Sequence, residues 1–527
     1  MPDGLLHPQI SAVMHLSKSA RYTLQNFYKM VSCILNQYNY AIELIVLDEK
    51  NDKCVIDEVS KMNTEGNPIY FINSSEGSLG KALNQAINIA NGDYILYLDN
   101  RSAEVYLKNS AAAALSLTLE RNKSRAMVYA DYELEKEGQI EEIHLLKHHI
   151  GRLRDNQDYG RVFLFKKDIL NMIGGCDESL QFNVFYDLRL KISEKASLIH
   201  LANRYAGSLY RVIAEGKSHN VFDYLLASKE SQIEAEKVLT AHLKRINAYL
   251  NPGSFYKNRP KETNIKALKA SIIIPVNNRV EFIGTAIESV LQQTIQDIEI
   301  IVVVNGGEED PTIDAVKQYM VCGSKYNPNI PEVRLIVLDI NNIGLCLNLG
   351  AKAARGEIYV QLDSDDRLKP FAVEKILSLF ASDPTIGMVI GSYEVWQLND
   401  STGNINRIEN IPVVTHEEWT EENGRNNLLR INGAGAPRAI PMKIIQDCGY
   451  FGINDEPFAR NYGEDYEMVL KISENFRIGR IWEPIYDVIR HKGGTDHSIN
   501  LETIDRNDEA KDYMRKQAIE RRIEMNC

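Results

Sequence analysis

The chain lacks an excess of basic residues, lacks any cysteine pairing motif and lacks long apolar runs. Each absence removes a class of protein. Its 60 lysines and arginines face 72 aspartates and glutamates, a formal net charge of −12. That balance argues against a general nucleic-acid binder, whose affinity comes from neutralising phosphates. A phosphate-bearing substrate would then need a metal ion or a local basic cluster. The seven cysteines (Cys33, Cys54, Cys176, Cys322, Cys346, Cys448, Cys527) are scattered, with no C-x-x-C pair. Such a set suits a reducing compartment rather than a disulfide framework or a zinc site. No run approaches the roughly 18 apolar residues of a membrane span, and the N-terminus lacks a charged-then-apolar signal pattern. A cytoplasmic location is expected, with peripheral membrane contact left open.

What is present is ordinary globular material, 44% apolar and 25% charged over 527 residues, and it is repeated. Ile34-Leu35-Asn36-Gln37 leads to the strand-like run Ile42 to Leu47, and Val290-Leu291-Gln292-Gln293 leads to Ile298 to Val303 at the same internal spacing. Gly80 to Asn84 followed by Asn91 to Asp99 matches Gly344 to Asn348 followed by Arg355 to Asp363. Leu190 to Glu194 matches Leu470 to Glu474. Three matched blocks in one order predict two copies of one α/β domain, each a mostly parallel sheet covered by helices on both faces. The expected division is a domain over 1–214, a helical linker over 215–268 and a second domain over 269–527 with a C-terminal helix. Phe282, Ala286, Ile287, Val290 and Leu291 form the apolar stripe of one helix, and Ala235, Val238, Leu239 and Leu243 that of the linker. From Ile504 to Met525 the pattern is helical and charged, with Arg515, Lys516, Arg521 and Arg522, and reads as a solvated face; a membrane-surface or subunit contact is the alternative.

The chemistry concentrates where the apolar run Ile358-Tyr359-Val360-Gln361-Leu362 ends in Asp363-Ser364-Asp365-Asp366. Carboxylates crowded at a strand end repel one another unless a cation lies between them. Oxygen-rich sites of this kind suit Mg²⁺ or Mn²⁺, which bring phosphate oxygens with them. Open α/β sheets bind their ligands at such strand ends. The competing reading is an acidic turn, with Asp366 complementing a helix dipole.

Five motifs in order widen the signal: Ser271 to Arg279 with its Ile-Ile-Ile-Pro-Val-Asn-Asn-Arg run, Ser289 to Thr294, Asn342-x-Gly344, Ala354 to Glu357, and Leu362 to Asp366. Together they resemble the family-2 glycosyltransferases, inverting enzymes of the GT-A fold that take a sugar from a nucleotide donor. The likeness is good over about residues 269 to 500 and weaker over 10 to 212. The layout is similar to tandem bacterial glycosyltransferases of surface-polysaccharide assembly. The resemblance implies a nucleotide-sugar donor (a UDP-sugar first), a saccharide or lipid-linked glycan acceptor, Mn²⁺ or Mg²⁺, and room for self-association. It implies donor contacts from Pro275, Val276, Asn278, Arg279, Asn305, Asn342, Gly344, Asp363 and Ser364. Metal ligation would fall to Asp365 and Asp363, completed by His491, with His497 as the fallback. Where the family carries acids to hold the base, this chain has Val304-Asn305-Gly306-Gly307. Asn305 still offers both a donor and an acceptor to a pyrimidine edge.

The candidate base is Asp465 in Tyr462-Gly463-Glu464-Asp465-Tyr466, with Glu464 beside it; an Asp at a helix start is also a common N-cap. Comparison of the halves favours catalysis. Arg101 stands opposite Asp365, and Val184 and Phe185 stand opposite Glu464 and Asp465. The first half therefore reads as a degenerate, non-catalytic copy. Gly433 to Pro437 reads as acceptor-side lining and Trp482 as core. A non-catalytic carbohydrate- or nucleotide-binding scaffold is the alternative function. A nucleotidyltransferase would want a Gly-rich, Arg-bearing turn that Asn277-Asn278-Arg279-Val280 does not supply.

Overall fold

Aliphatic runs too short for helices become the buried strands of two large sheets, accompanied by one small one, in the computed structural model. It describes residues 9–18, 23–38, 40–64, 66–202, 207–213, 228–260, 268–399, 402–415, 423–431, 433, 435–453, 462–491 and 501–527. The chain divides into two compact units, Met1–Ile246 and Asn247–Cys527.

The first unit contributes β1 (Ile10–Leu16), β2 (Ile42–Asp48), β3 (Ile69–Asn73), β4 (Tyr94–Leu98), β5 (Glu104–Leu107), β6 (Arg125–Ala130), β7 (Tyr132–Lys136), β8 (Gln139–Ile143), β9 (Val162–Lys166), β10 (Ser197–Leu201) and β11 (Tyr210–Ile213). Its main sheet runs β3-β2-β1-β4-β9-β6-β10, and a small sheet runs β5-β11-β7-β8. The second unit contributes β12 (Leu268–Val276), β13 (Ile298–Val304), β14 (Glu332–Val337), β15 (Gly356–Gln361), β16 (Arg367–Leu368), β17 (Ile386–Leu398), β18 (Ile405–Arg407), β19 (Arg438–Pro441) and β20 (Arg477–Arg490). Its order is β14-β13-β12-β15-β19-β17-β20-β16, with β18 on β17.

The first seven of these repeat the main-sheet order of the first unit, with β9 and β19 each antiparallel to the neighbouring strands. The small sheet recurs as β16-β20-β17-β18, because β17 and β20 are long and pass through register shifts instead of breaking. β1, β2 and β13 are buried at every position, as expected for strands covered on both faces.

Helix Val280–Leu291 buries Ile283, Ala286, Ile287 and Val290. Phe282 lies off that stripe, its ring 4.3 Å from that of His491. Helix Lys229–Arg245 belongs to the first unit. Its Glu234 accepts from the backbone N–H groups of Gln181, Phe182 and Asn183 (2.8, 2.8 and 2.6 Å). Its His242 and Arg245 both hold Glu194, each at 2.7 Å.

The C-terminal helix Leu501–Asn526 departs from the solvated face expected of it. Arg515 and Arg522 are 0% exposed. Their guanidinium groups donate to the Ile431 and Arg425 carbonyls (2.9 and 2.8 Å), and Arg515 also pairs with the equally buried Asp512, partners that make burial of the charge tolerable. Arg521 pairs with Glu474 on helix Glu464–Asn475 at 2.8 Å. Trp482 is also not core: it is 44% exposed on β20 and stacks under Arg480 at 4.8 Å. Among the described residues no helix is long and apolar enough to cross a membrane.

Candidate active site

The carboxyl ends of β12, β13 and β15 frame the site. The turn after β12 is pinned by Asp310, which accepts from Asn278 N–H at 2.9 Å, while Arg279 N–H donates to Thr312 Oγ1 at 3.0 Å. Asn278 adopts a left-handed φ of 49° there, a conformation Asn tolerates better than most side chains. Pro275 and Val276 are the last residues of β12, in register with Val303 and Val304. Asn305, just beyond β13, donates to Asn341 Oδ1 at 3.4 Å. Its Oδ1 is buried without a hydrogen-bond partner, an orphaned acceptor at the strand end.

Asn342 and Gly344 do other work. Asn342 caps helix Ile343–Ala353 by accepting from Leu345 N–H at 2.9 Å. A Cβ on Gly344 would lie 1.9 Å from the Gly452 carbonyl oxygen, so only glycine allows that approach.

After β15 the chain turns tightly, Asp366 N–H donating to the Asp363 carbonyl at 3.1 Å, and three carboxylates converge. Asp363 receives Gln361 Nε2 at 3.2 Å, and its own N–H donates to Tyr486 Oη at 3.2 Å. Ser364, nearly buried, lies between Asp363 and Asp365. Asp365 Oδ2 is 2.9 Å from Nε2 of the buried His491. Asp366 accepts from Ile489 N–H at 2.8 Å and anchors the turn to β20. Burial pushes Asp363 upward, and Asp365 adds to the shift while Arg438 opposes it. Burial also pushes Asp366 well up, with repulsion from Asp363 and Asp365.

A divalent cation would relieve this crowding. Mg²⁺ and Mn²⁺ sites take one or two protein carboxylates and complete the shell with water and phosphate oxygens. The Asp365–His491 pair with Asp363 nearby suits such a partial set. Among the described residues, no three His, Cys, Asp or Glu side chains close into a full cage. His497 lies outside the described residues.

The candidate base enters from helix Glu464–Asn475. The N-cap is Gly463, at φ 89°, so Asp465 is not the cap. Arg438 Nη1 lies 2.9 Å from Asp465 Oδ2. Arg438 stands opposite Gln361 across β15 and β19 and stabilises the charge of both Asp465 and Asp363. Burial alone would raise Asp465, yet Arg438 and Lys511 outweigh it and hold the carboxyl below its ordinary value. Glu464 is pushed up by burial and by Asp465 beside it. Lys511 reaches this corner from the C-terminal helix, 4.4 Å from the Tyr462 ring. Arg438, Lys511 and Asp310 carry no local sequence signal; each is brought in by long-range packing. Of the stretch expected on the acceptor side, Gly435 offers its carbonyl to Arg438 Nη1 at 3.2 Å, and Ala434 lies outside the described residues.

At the matching end of β4 the first unit keeps the acid Asp99 opposite Asp363 but differs at the positions of Gln361, Asp365, Arg438 and Asp465. Asp99 forms a bidentate pair with Arg101 (2.8 and 2.9 Å) and a longer contact with Arg161 at 3.5 Å. Tyr97 stands opposite Phe163, as Gln361 stands opposite Arg438. Phe185 stacks on Tyr97 at 4.5 Å and on Phe163 at 5.8 Å. Asp131 is fully buried and taken up by His144, His200 and Leu145 N–H, the first and last at 3.1 and 2.8 Å.

A mixed α/β fold with strand-end acids, a buried guanidinium and a helix-borne carboxylate is consistent with a GT-A-like glycosyltransferase fold. Residues 23–100 and 271–434 match the model of glycosyl transferase family 2, and the chain resembles bacterial polysaccharide enzymes. It is 26% identical over 351 residues to a chondroitin synthase of Pasteurella multocida, covering 65% of this chain and 32% of the relative. An uncharacterized glycosyltransferase of Rickettsia bellii is 25% identical over 394 residues, covering 65% of this chain and 54% of the relative. A hyaluronan synthase of Pasteurella multocida is 30% identical over 190 residues, 34% of this chain and 18% of the relative. The chain thus spans about half or less of these curated relatives. Among solved structures, S. aureus TarS 1-349 in complex with UDP-GlcNAc aligns at 18% identity over 44% of this chain and 62% of that chain, with a TM-score of 0.34.

Proposed function

We propose that the second unit is a metal-dependent, inverting glycosyltransferase that moves a sugar from a nucleotide donor, a UDP-sugar first, to a saccharide or lipid-linked glycan acceptor in surface-polysaccharide synthesis. The observation that carries the reading is Arg438, whose Nη1 lies 2.9 Å from Asp465 Oδ2 and whose charge is also stabilised by Asp363, so that a base and an acid cluster share one guanidinium at one end of the sheet. The donor's base would lie between the β12 turn and Asn305, whose orphaned Oδ1 can accept a pyrimidine N–H. Asp365, His491 and Asp363 would hold Mn²⁺ or Mg²⁺, whose charge would neutralise the departing diphosphate. Asp465, kept ionised by Arg438, takes the proton of an acceptor hydroxyl; that oxygen attacks the anomeric carbon as the bond to the diphosphate breaks on the opposite face. The first unit would be a second copy of the same domain that has lost transfer, with Lys229–Arg245 leading from one copy to the next.

The test is nucleoside diphosphate release by the purified chain given Mn²⁺ or Mg²⁺, a panel of UDP-, dTDP- and GDP-sugars and oligosaccharide acceptors, with the product's anomeric configuration read by NMR. Release that requires metal and acceptor and yields inverted product is expected. Retained configuration, or equal release with chelator, overturns the assignment. A non-catalytic scaffold would bind donor and release nothing.

A further inference from the structure

We propose that Lys511, on the C-terminal helix, is a positioning residue for the base: its ammonium, together with Arg438, holds the Asp465 carboxylate, so that this helix is part of the catalytic corner. The inference rests on Asp465 being the base of the second unit. Its first support is that the two units carry a closing helix in equivalent places. Glu194 and Glu474 end the matched blocks Leu190 to Glu194 and Leu470 to Glu474, on helices Val184–Lys195 and Glu464–Asn475. Arg245 Nε donates to Glu194 at 2.9 and 2.7 Å, and Arg521 Nε donates to Glu474 at 3.0 Å. Setting Arg245 opposite Arg521 puts Ala235, Leu239, His242 and Leu243 opposite Lys511, Arg515, Ala518 and Ile519, every one of them buried. The same register brings each closing helix to the start of the helix it packs on. Asn183 Nδ2 donates to the Ser231 carbonyl at 3.0 Å in the first unit. In the second, a Cβ on Gly463 would lie 2.8 Å from Met514 Cε and 4.0 Å from Lys511 Cγ.

What differs between the two corners is charge. Lys511 Nζ lies 4.4 and 5.5 Å from the ring centres of Tyr462 and Tyr466, the residues that flank Glu464 and Asp465 in the chain. The first unit keeps aromatic residues at both places, Phe182 and Tyr186, yet has Val184 and Phe185 for the acids and Ala235 for the lysine. A lysine retained to pack on the rings would have no reason to disappear with the acids. A lysine retained for the carboxylate would.

A lysine only 7% exposed also needs a counter-charge, since a buried unpaired ammonium is costly. Burial would lower Lys511, but Tyr462 and Asp465 outweigh it and keep the group charged. The groups facing Asp465 are Glu464 on its own helix, Arg438 on β19, Tyr359 on β15, Asp363 beyond β15, and Lys511. On the C-terminal helix Asp512 and Arg515 pair with each other. Arg438 and Lys511 are therefore the cations that face the acids Asp363, Glu464 and Asp465. Loss of Lys511 leaves one cation to hold the corner, and Asp465 then takes up a proton at higher pH.

Melting and kinetics of the full chain test it together. Lys511→Met keeps the stem and drops the charge, while Lys511→Arg keeps the charge. In a double-mutant cycle with Asp465→Asn, the double variant should melt at least about 2 °C above the value that the two single losses add to, because residues in contact couple. If Lys511→Met does not fold, the double variant decides: a folded one supports the pairing and an unfolded one refutes it. In the transfer assay Lys511→Met should move the acid limb of kcat/KM upward and lower activity there about tenfold, with donor KM unchanged. Lys511→Arg should restore most of that loss. Lys516→Met, at a partly exposed position of the same helix, should match the parent in both measurements. Additive melting losses overturn the proposal, and so does an acid limb that Lys511→Met leaves in place. A parent chain that transfers no sugar instead overturns the reading of Asp465 as base, and the melting cycle still decides whether Lys511 and Asp465 act as a pair.

Discussion

The carboxyl ends of β15 and β4 occupy the same place in two sheets of the same strand order, yet they hold opposite chemistry. Beyond β15, Gln361, Arg438 and Asp465 form a polar, charged corner beside Asp365 and His491. Beyond β4, Tyr97, Phe163 and Phe185 stack in that corner, and Arg101 stands in place of Asp365. The substitutions occur as a set. Removing one member of a buried ion pair strands the other at a cost of about 3–5 kcal/mol, whereas replacing both by packed apolar groups is close to neutral. An Asp465–Arg438 pair can therefore be exchanged for Phe185–Phe163 without loss of the fold, but neither member can go alone.

Removing the metal-facing acid should separate the two ends most sharply. Asp365→Ala is expected to lower transfer roughly 10³-fold, since the cation's share of transition-state stabilisation is several kcal/mol. The melting curve should stay unchanged, because Asp365 is a partly exposed side chain whose carboxylate meets His491 rather than packing in the core. Parental transfer by that variant would refute the metal assignment.

Asp465→Asn comes next, with a loss of about 10²–10⁴-fold in kcat and donor binding retained, since the amide keeps the shape but accepts no proton. A parental kcat at saturating acceptor would shift the base to Glu464.

Arg438→Gln should act more gently and through pH. The guanidinium lowers Asp465, so its loss lets the carboxyl titrate at higher pH. A base that protonates at higher pH moves the acid limb of the kcat/KM profile upward, with about tenfold lower activity below neutrality. The variant should also melt early, because Asp465 loses its partner. An unmoved acid limb would show that Arg438 serves packing only.

Phe185→Ala in the first unit should have the smallest effect on chemistry and a measurable one on stability. Loss of a half-buried ring and two stacking contacts is worth about 2–4 kcal/mol. The first unit's melting transition should fall while transfer by the chain persists. A loss of transfer with an unchanged melt would mean that the first copy catalyses.

The sequence by itself determined much of this molecule. Aliphatic runs of strand length and an apolar helical stripe bury themselves wherever the chain goes, so β2, β12 and β13 and helix Val280–Leu291 follow from local pattern. The acids after β15 and their loss at Arg101 and Phe185 are likewise legible, because repeated blocks put the two copies in register. Tertiary structure alone decided the rest. Arg438 sits on a four-residue strand with no periodic signal, and only the antiparallel pairing of β19 with β15 brings it to Asp465. Asp310 reaches the β12 turn from a separate loop. Arg515 and Arg522, charged residues on a helix of charged pattern, are buried where backbone carbonyls from elsewhere in the second unit meet their guanidinium groups, Arg515 also pairing with the buried Asp512. The division has one physical cause: burial of apolar surface depends on a residue's own pattern, whereas a charge or hydrogen bond depends on a partner, and the chain's long-range path chooses the partner.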